Sequence, residues 1–266
     1  MAIAGVGASG GLSSLTVFLS TQRAPEALSR RVEQDPIAKQ RIDDFRERAG
    51  SITSVEDLVS DRRVLSFVLD AFDLGSEVDK SAFVRLAIEG GPGGFANFLR
   101  DVRYRELASF LDVPVRGLTR LTTTEGQNEL VEKFTTIAGE RSVGFQSERA
   151  RQALFFKRVA PTISDPLELL GNNLTRDIVL TTLNLPPQIA LQSIDKQREL
   201  VEARIDVDKL DEEDYVDEFL TRFLVQADLK DSGQTASAGA GVYANQQLAS
   251  QLAQLNPGGG LFSFVA

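Results

Sequence analysis

Residues 45–75, FRERAGSITSVEDLVSDRRVLSFVLDAFDLG, carry the pattern that is most informative about the fold, because the chain contains a similar pattern a second time. Residues 156–186, FKRVAPTISDPLELLGNNLTRDIVLTTLNLP, align with them without a gap at an offset of 111 positions. Seven of the 31 aligned positions are identical, among them Phe45 and Phe156. A repeat of this kind indicates that one supersecondary unit occurs twice. The alternative is chance agreement between two helical patterns.

Helix-start signals coincide in the two stretches even where the residues differ. Each stretch has a side chain that can accept hydrogen bonds from first-turn amides, followed three residues later by a carboxylate that can complete a capping box. A second N-cap residue then follows in each stretch at the same offset. The paired positions are Ser54 and Asp165, Asp57 and Glu168, and Asp61 and Asn172. The sequence therefore predicts two short helices in each copy.

Apolar residues recur at intervals of three and four through the middle of the chain, and no alternating run of strand length occurs. We therefore predict an all-α protein built from two related helical halves that pack on each other, with flexible ends. Each half is expected to include a later amphipathic helix, at about 94–111 and 211–227. The predicted parts are an N-terminal arm (1–24), a first helical half (25–120), a second helical half (121–230), a linker (231–241) and a C-terminal helix with an apolar tail (242–266).

The 266-residue chain has no Cys, His or Trp, which excludes several classes of chemistry. Thiol nucleophiles, His-based catalytic triads, Fe–S clusters and the usual zinc sites all need residues that it lacks. We predict no catalytic residue, no cofactor and no metal site. A net charge of −9, with 29 Lys and Arg scattered among 38 Asp and Glu, argues against nucleic acid as a partner. No stretch approaches the roughly 18 apolar residues that would span a membrane.

Three features could carry chemistry, and each has an ordinary structural explanation. Eight acidic residues crowd residues 206–218, where they favour the positive first turn of a helix; a bound divalent ion is the alternative. The glycine-rich residues 90–94 lack the Lys-Ser/Thr of a phosphate-binding loop and are expected to connect two helices. Certain carboxylates could act in acid–base catalysis or simply lie on solvated helix faces. The groups concerned are Asp101 with Tyr104, and Asp61 with Arg62 and Arg63.

The C-terminal end of the chain holds the predicted binding element. Three leucines recur there at helical spacing, and an apolar end follows after Asn-Pro and three glycines. Such a segment has little reason to stay in water unless it packs on the body of the protein or on a partner. The predicted partner-binding residues are Leu248, Leu252, Leu255, Leu261, Phe262 and Phe264.

Three segments of the chain carry a family resemblance. They are residues 45–75, quoted above, residues 95–111, FANFLRDVRYRELASFL, and residues 149–173, RARQALFFKRVAPTISDPLELLGNN. Together they resemble a proteobacterial family known as a conserved domain of unknown function, whose members often lie beside flagellar genes. The resemblance extends over about residues 25–227. It implies a flagellar or motility setting, and it transfers no catalytic residue.

We expect a non-enzymatic accessory or structural protein, associated with the bacterial flagellum and acting through protein–protein interaction. A cytoplasmic flagellar export chaperone or regulator is one alternative, and an enzyme that uses only carboxylates, Tyr and Arg is another. The first charged side chain is Arg23, so the positive region of a cleaved signal peptide is missing. The expected location is the cytoplasm or the flagellum. The expected partner is a protein such as a flagellar component, and homo-oligomer formation stays open.

Overall fold

The computed structural model describes residues 13–231, and all regular structure in that range is helical. Fourteen α-helices and seven short 3-10 helices occur in residues 13–231, with no β-strand among them. The predicted all-α fold class is confirmed. None of these helices is both long and apolar enough to cross a bilayer. Apart from Asp231, the predicted linker (231–241) and C-terminal segment (242–266) lie outside the described residues.

The helices follow one another with short connections. The first seven α-helices are α1 (Ser14–Gln22), α2 (Pro25–Gln34), α3 (Pro36–Ala49), α4 (Val55–Ser60), α5 (Arg62–Asp70), α6 (Ser81–Glu89) and α7 (Val102–Leu111). The remaining seven are α8 (Val113–Arg116), α9 (Thr119–Thr122), α10 (Thr124–Val143), α11 (Glu148–Val159), α12 (Asn173–Thr182), α13 (Ile194–Glu202) and α14 (Glu213–Asp231). The 3-10 helices are Gly75–Glu77, Gly91–Gly93, Phe95–Phe98, Ala160–Thr162, Pro166–Leu170, Pro187–Leu191 and Val207–Lys209.

Two clusters of buried apolar side chains form the core. The first draws on α2 to α7, α9 and the part of α10 up to Phe134. At its centre Phe45 stacks on Phe67, with ring centroids 4.3 Å apart, and Phe67 stacks on Phe134 at 4.5 Å. The second cluster draws chiefly on α1, α11, α12 and α14, where Phe156 stacks on Phe219. Each such ring pair contributes about 0.5–1.5 kcal/mol beyond the burial of its area.

The 20-residue helix α10 takes part in both clusters. Leu130 and Phe134, near its middle, lie in the first cluster, and Val143 at its end lies in the second. Gly139 between them allows α2 to approach closely, since a Cβ atom at this position would lie 3.0 Å from Cβ of Leu28. The two cores therefore share one rigid element, which begins just after residue 120, where the first predicted half ends.

The helix starts inferred from the repeated stretch are present at both places. Ser54 caps α4 and Asp165 caps the 3-10 helix Pro166–Leu170, and each is completed by a capping box. Asp61 and Asn172 cap the helices that follow, α5 and α12. The second copy differs in forming a 3-10 helix where the first forms α4. The local signals at the starts of these helices were therefore sufficient to place them.

The ends of α5 and α12 also resemble each other. Asp73 and Asn184, 111 positions apart, both adopt a left-handed backbone, with φ of 56° and 49°. Asp and Asn tolerate this conformation better than most residues because their short polar side chains can bond locally. In each case the next residue donates its amide hydrogen to a carbonyl five residues back, at 2.8 Å. The chain thus leaves both helices through the same type of turn.

The predicted N-terminal arm, residues 1–24, differs from the structure over its described part. A helix, α1, begins there after its N-cap Ser13. Leu15, Val17 and Phe18 are buried in the second cluster, where α1 contacts α11 and α14. The Ser and Thr residues of this segment suggest an arm, but they alternate with apolar residues that fill the core. Residues 13–24 therefore belong to the folded body.

The helix predicted over about 94–111 is divided in the structure. Phe95–Phe98 forms a 3-10 helix, and α7 begins only after its N-cap Asp101. The Asp101 carboxylate accepts a hydrogen bond from the Arg103 amide at 3.2 Å, and a cap of this kind fixes a helix start at the expense of the residues before it. The helix predicted over about 211–227 is found as α14.

Candidate interaction surface

Asp101 and Tyr104 lie on the first turn of α7 but contact different partners. The Asp101 carboxylate pairs with Arg103 at 2.7 Å. The Tyr104 hydroxyl donates to Glu77 at 2.7 Å, and burial together with this hydrogen bond raises the pKa of Tyr104 far above its usual value. A tyrosine with a raised pKa stays protonated at neutral pH. Its hydroxyl therefore serves as the donor that ties α7 to the segment before α6.

Asp61 also acts as a helix cap. Its carboxylate accepts hydrogen bonds from first-turn amides of α5 and from the Arg48 guanidinium at 2.9 Å. Burial raises the pKa of Asp61, but these hydrogen bonds outweigh burial and hold the pKa below its ordinary value. The guanidinium groups of Arg62 and Arg63 pair with other carboxylates. The structure therefore does not assemble the predicted group of Asp61, Arg62 and Arg63 around one point.

The acidic run 206–218 lies at the start of α14. Glu213 and Asp217, one turn apart on α14, both accept hydrogen bonds from Lys157 of α11 at 2.8 Å. The hydrogen bond from Lys157 lowers the pKa of Glu213. Among residues 13–231, no three acidic side chains come together in an arrangement that could hold a metal ion. In the described structure these two acids join α14 to α11.

A polar network that the sequence did not reveal lies where α3, α5 and α10 meet. Arg141 of α10 donates to Asp70 at 2.6 Å and to Asp73 at 2.8 Å. Arg41 of α3 donates to the other oxygen of Asp70 at 2.6 Å, and Arg103 donates to the backbone carbonyl of Asp73. Residues so far apart in the chain leave no local pattern. The network holds helices together and contains charges that are already paired.

Two shallow grooves open to solvent on the described surface. One, of about 330 Å³, lies between α3 and α5 and is lined by Arg41, Arg62 and Arg63 among others. The other, of about 320 Å³, is lined mainly by α10 and includes Glu106 and Lys133, which pair at 2.7 Å. Arg41 is likewise paired, with an acid of α5. A ligand in either groove would compete with existing ion pairs.

The surface around the glycine-rich turn is apolar, and we call it the Phe98 surface. It consists of Leu86 on α6, Phe95 and Phe98 at the two ends of the 3-10 helix Phe95–Phe98, and Val115 on α8. Phe98 is 80% exposed, Val115 79%, Leu86 55% and Phe95 39%. Full burial of a side chain of this kind contributes about 1.5–3 kcal/mol. A partner that covered this surface would gain part of this contribution from each side chain, in proportion to the area that is still exposed.

Local geometry brings these side chains together. Phe95 and Phe98 are three residues apart in a 3-10 helix, where side chains at this spacing lie one above the other. The Phe95 ring packs edge-on against Phe83 of α6, with centroids 5.4 Å apart. Leu86 lies one helical turn beyond Phe83, on the same side of α6. The short helix α8, which carries Val115, also contacts α6.

Glycines make the turn beneath the Phe98 surface possible. Gly91 has φ of +60°, and a Cβ atom there would lie 2.8 Å from Cδ of Pro114 in α8. A Cβ atom on Gly94 would lie 2.4 Å from Cα of Gly90. The glycine-rich stretch thus folds tightly against α8 and connects α6 to the next helical segment, as the sequence predicts. Larger residues at these positions would open the turn.

Sequence reasoning places Phe95 and Phe98 within one amphipathic helix and therefore gives no reason to expect them in solvent. The signal that does mark them is the absence of charge: residues 90–99 carry no charged side chain in a chain that is 25% charged. The residues predicted to bind a partner lie outside the described residues. They are Leu248, Leu252, Leu255, Leu261, Phe262 and Phe264.

Comparisons with known proteins give one family and one solved structure. The family is described as "Protein of unknown function (DUF1217)", and its model matches residues 71–216, more than half of the chain. A protein from Agrobacterium tumefaciens, known from an X-ray crystal structure, has a similar fold with a TM-score of 0.72 and 27% sequence identity. The match covers 85% of this chain and 99% of that one. None of the curated proteins matches the sequence.

Proposed function

This chain belongs to the DUF1217 family of proteins of unknown function, and we propose that it acts without catalysis, through the binding of a protein partner. We propose further that it is an accessory or structural protein associated with the bacterial flagellum. The flagellar setting is suggested by the resemblance of residues 45–75, 95–111 and 149–173 to a family found beside flagellar genes. The binding role is argued from the surface of the molecule.

The Phe98 surface is the observation that carries the proposal. Single exposed apolar side chains are ordinary, but a group of them on neighbouring elements is typical of an interaction site. Here four such side chains come from α6, the 3-10 helix Phe95–Phe98 and α8. All four lie within residues 71–216, the part that the family model matches. By contrast, Asp61 and Asp101, the acids considered for catalysis, serve as helix caps.

The partner that we propose is the apolar face of a helix in another protein. Residues 90–99 offer no charge with which an ionic group could pair. At the edge of the surface, Arg85 and Glu89 of α6 are already paired with each other. An apolar centre with a charged rim is the usual anatomy of a protein interface. A helix with leucine or phenylalanine at successive turns matches such a centre.

We also propose that the two stretches 45–75 and 156–186 arose by internal duplication. Three observations support this duplication: the common offset of 111, the matching cap residues at the start of each helix, and the left-handed residues Asp73 and Asn184 at the end. When the two stretches are superposed, their backbones should follow the same path from α3 and α11 onward. Clearly different paths would contradict a common origin.

Fractionation of cells tests the flagellar role and the Phe98 surface together. We expect the wild-type protein to copurify with flagellar basal bodies, and a deletion strain to swim less. Phe98→Asp should leave the fold unchanged, because this side chain is already mostly in water, but should remove the protein from the basal-body fraction. Leu191→Asp is the matched control, since Leu191 is 86% exposed and lies outside the Phe98 surface. This control should fractionate as the wild type does.

Each component of the proposal can fail separately in this experiment. Normal flagella and normal swimming in the deletion strain would contradict the flagellar role. Equal recovery of Phe98→Asp and Leu191→Asp in basal bodies would contradict the Phe98 surface as the binding site. Recovery from the cytosol alone, with reduced export of flagellar subunits in the deletion strain, would favour the export chaperone instead.

A further inference from the structure

Both ends of the described chain lie at one corner of the molecule. The Ser14 amide, at the start of α1, donates to Oδ2 of Asp228 near the end of α14 at 3.0 Å. The Ser147 hydroxyl, in the turn between α10 and α11, donates to the Ser14 hydroxyl at 2.8 Å. Nε of Arg149, just after this turn, donates to Asp231 at 3.0 Å. Three separate parts of the chain, the start of α1, the turn between α10 and α11, and the end of α14, are therefore joined here by hydrogen bonds.

Phe145 lies in solvent in the turn that forms this corner. It is 95% exposed, the highest value among the large apolar side chains of residues 13–231. It stands two residues before Ser147 and four before Arg149. Its exposure alone indicates nothing, because single apolar residues often lie in water. The chain continues from Asp231, close to this turn. The segment that follows is therefore a specific candidate to cover Phe145.

The segment that continues from this corner differs in composition from the body. All 29 Lys and Arg and all 38 Asp and Glu lie between Arg23 and Asp231, so residues 232–266 carry no charged side chain. An uncharged segment is not repelled by an acidic body, and apolar side chains gain free energy by leaving water. The large apolar side chains of its last part include Leu248, Leu252, Leu255, Leu261, Phe262 and Phe264.

We propose that residues 242–266 return to this corner of their own chain and cover Phe145. Ten residues, 232–241, lie between Asp231 and this segment, and ten residues span at most about 36 Å. Phe145 is therefore within reach from the first residues of the segment. A tether of this length gives an effective concentration on the order of millimolar, so that even a weak apolar contact is populated. Phe145 is not part of the Phe98 surface, so either binding site can be disproved without affecting the other.

A single tryptophan tests this inference, because the chain has none of its own. Phe145→Trp places the probe at the corner, in the full chain and in a chain that ends at Asp231. In the full chain we expect emission at shorter wavelength and acrylamide quenching about twofold weaker, since a ring covered on one face is open to collisions only from the other. The difference should not depend on protein concentration. Leu252→Asp with Leu255→Asp in the full chain should remove the protection as truncation does.

Phe98→Trp, in the same two chains, is the matched control and should be quenched equally in both. Equal quenching of the probe at position 145 in the full and shortened chains would overturn the proposal. Protection that disappears on dilution would assign the cover to a second copy of the protein. A change at position 98 on truncation would place the C-terminal segment on the Phe98 surface. Each of these last two results would also overturn it.

Discussion

At the scale of single residues, Arg141 shows how one side chain can satisfy two carboxylates that the fold has largely removed from water. Asp70 and Asp73 both rely on it, and Asp70 also relies on Arg41. Removing a base from such a network costs more than the bond is worth, because the acids remain where water reaches them poorly. Removing Arg141 should therefore lower the free energy of unfolding by more than the net contribution of its ion pairs.

Arg141→Ala should lower the free energy of unfolding by about 1–3 kcal/mol, less than for a fully buried pair because the arginine is partly exposed. Urea unfolding followed by circular dichroism measures the change. Arg62→Ala is the control, because Arg62 and its partner Asp79 are both mostly in water. This control should change stability by less than about 0.5 kcal/mol. Equal losses in the two variants would show that the network around Arg141 contributes no more to stability than an exposed ion pair does.

The pH dependence of stability follows from the carboxylates whose pKa the fold lowers. Asp61 binds its proton less readily in the folded chain than in the unfolded chain, and Asp165 behaves alike for similar reasons. Acidification therefore favours the unfolded state, and the stability from these groups, complete above about pH 5, is lost as the pH falls through their folded pKa values. Asp61→Asn keeps the cap oxygen and removes the titration. Urea unfolding at pH 7 and pH 3 should show a smaller loss for this variant than for the wild type.

At the scale of helices, the caps are the features that fix where each element begins. The Asn172 side chain is buried and accepts from the amides of Leu174 and Thr175 at 2.9 Å and 3.0 Å. The Ser193 hydroxyl caps α13 with one longer bond of 3.3 Å in an exposed position. A cap with two short bonds in a dry site should contribute more than one with a single long bond in water.

Asn172→Ala should therefore lower the free energy of unfolding by about 1–2 kcal/mol, and Ser193→Ala by about 0.5 kcal/mol or less. Chemical denaturation of both variants under the same conditions provides the measurement. Asn172→Asp, which keeps an acceptor in place, should recover most of the loss. A greater loss for Ser193→Ala than for Asn172→Ala would contradict the proposed order of the two caps.

Short-range chemistry explains which elements could be predicted from the sequence. A cap such as Ser54 or Asn172 acts on amides two or three residues away, so its effect can be predicted from the neighbouring residues in the sequence. The burial of Phe18 depends on α11 and α14, which lie more than a hundred residues later, and nothing near Phe18 reports it. The exposure of Phe98 depends likewise on how the glycine-rich turn folds against α8. The capped helix starts in the two similar stretches were therefore predictable, whereas α1, the division of the helix predicted over about 94–111, the pairing of the helices and the Phe98 surface were not.

At the scale of the whole molecule, one close backbone contact links segments that the sequence places in different halves. Gly171 precedes α12, and a Cβ atom there would lie 2.2 Å from the backbone oxygen of Arg100, just before α7. Gly171→Ala should lower the free energy of unfolding by about 1–3 kcal/mol, because neither backbone can yield without moving its helix. Gly50→Ala is the control, since nothing lies within 4 Å of a Cβ atom there.

The control should be neutral or slightly stabilising, by up to about 1 kcal/mol, because Gly50 has φ of −65°, which alanine adopts readily. Thermal unfolding of both variants provides the measurement. If Gly171→Ala were as stable as Gly50→Ala, the two segments would have room to separate, and the close contact would not be required for the fold.

The length of α10 has a consequence for how this protein can change over evolutionary time. Each residue advances an α-helix by 100°, so one residue gained or lost between Phe134 and Val143 would turn one end of α10 by that angle against the other. Phe134 or Val143 would then face away from its own cluster. Insertions and deletions should accordingly be excluded from this stretch among related sequences and collect in the connections between helices. The number of residues in this part of α10 therefore sets the rotation of one core relative to the other.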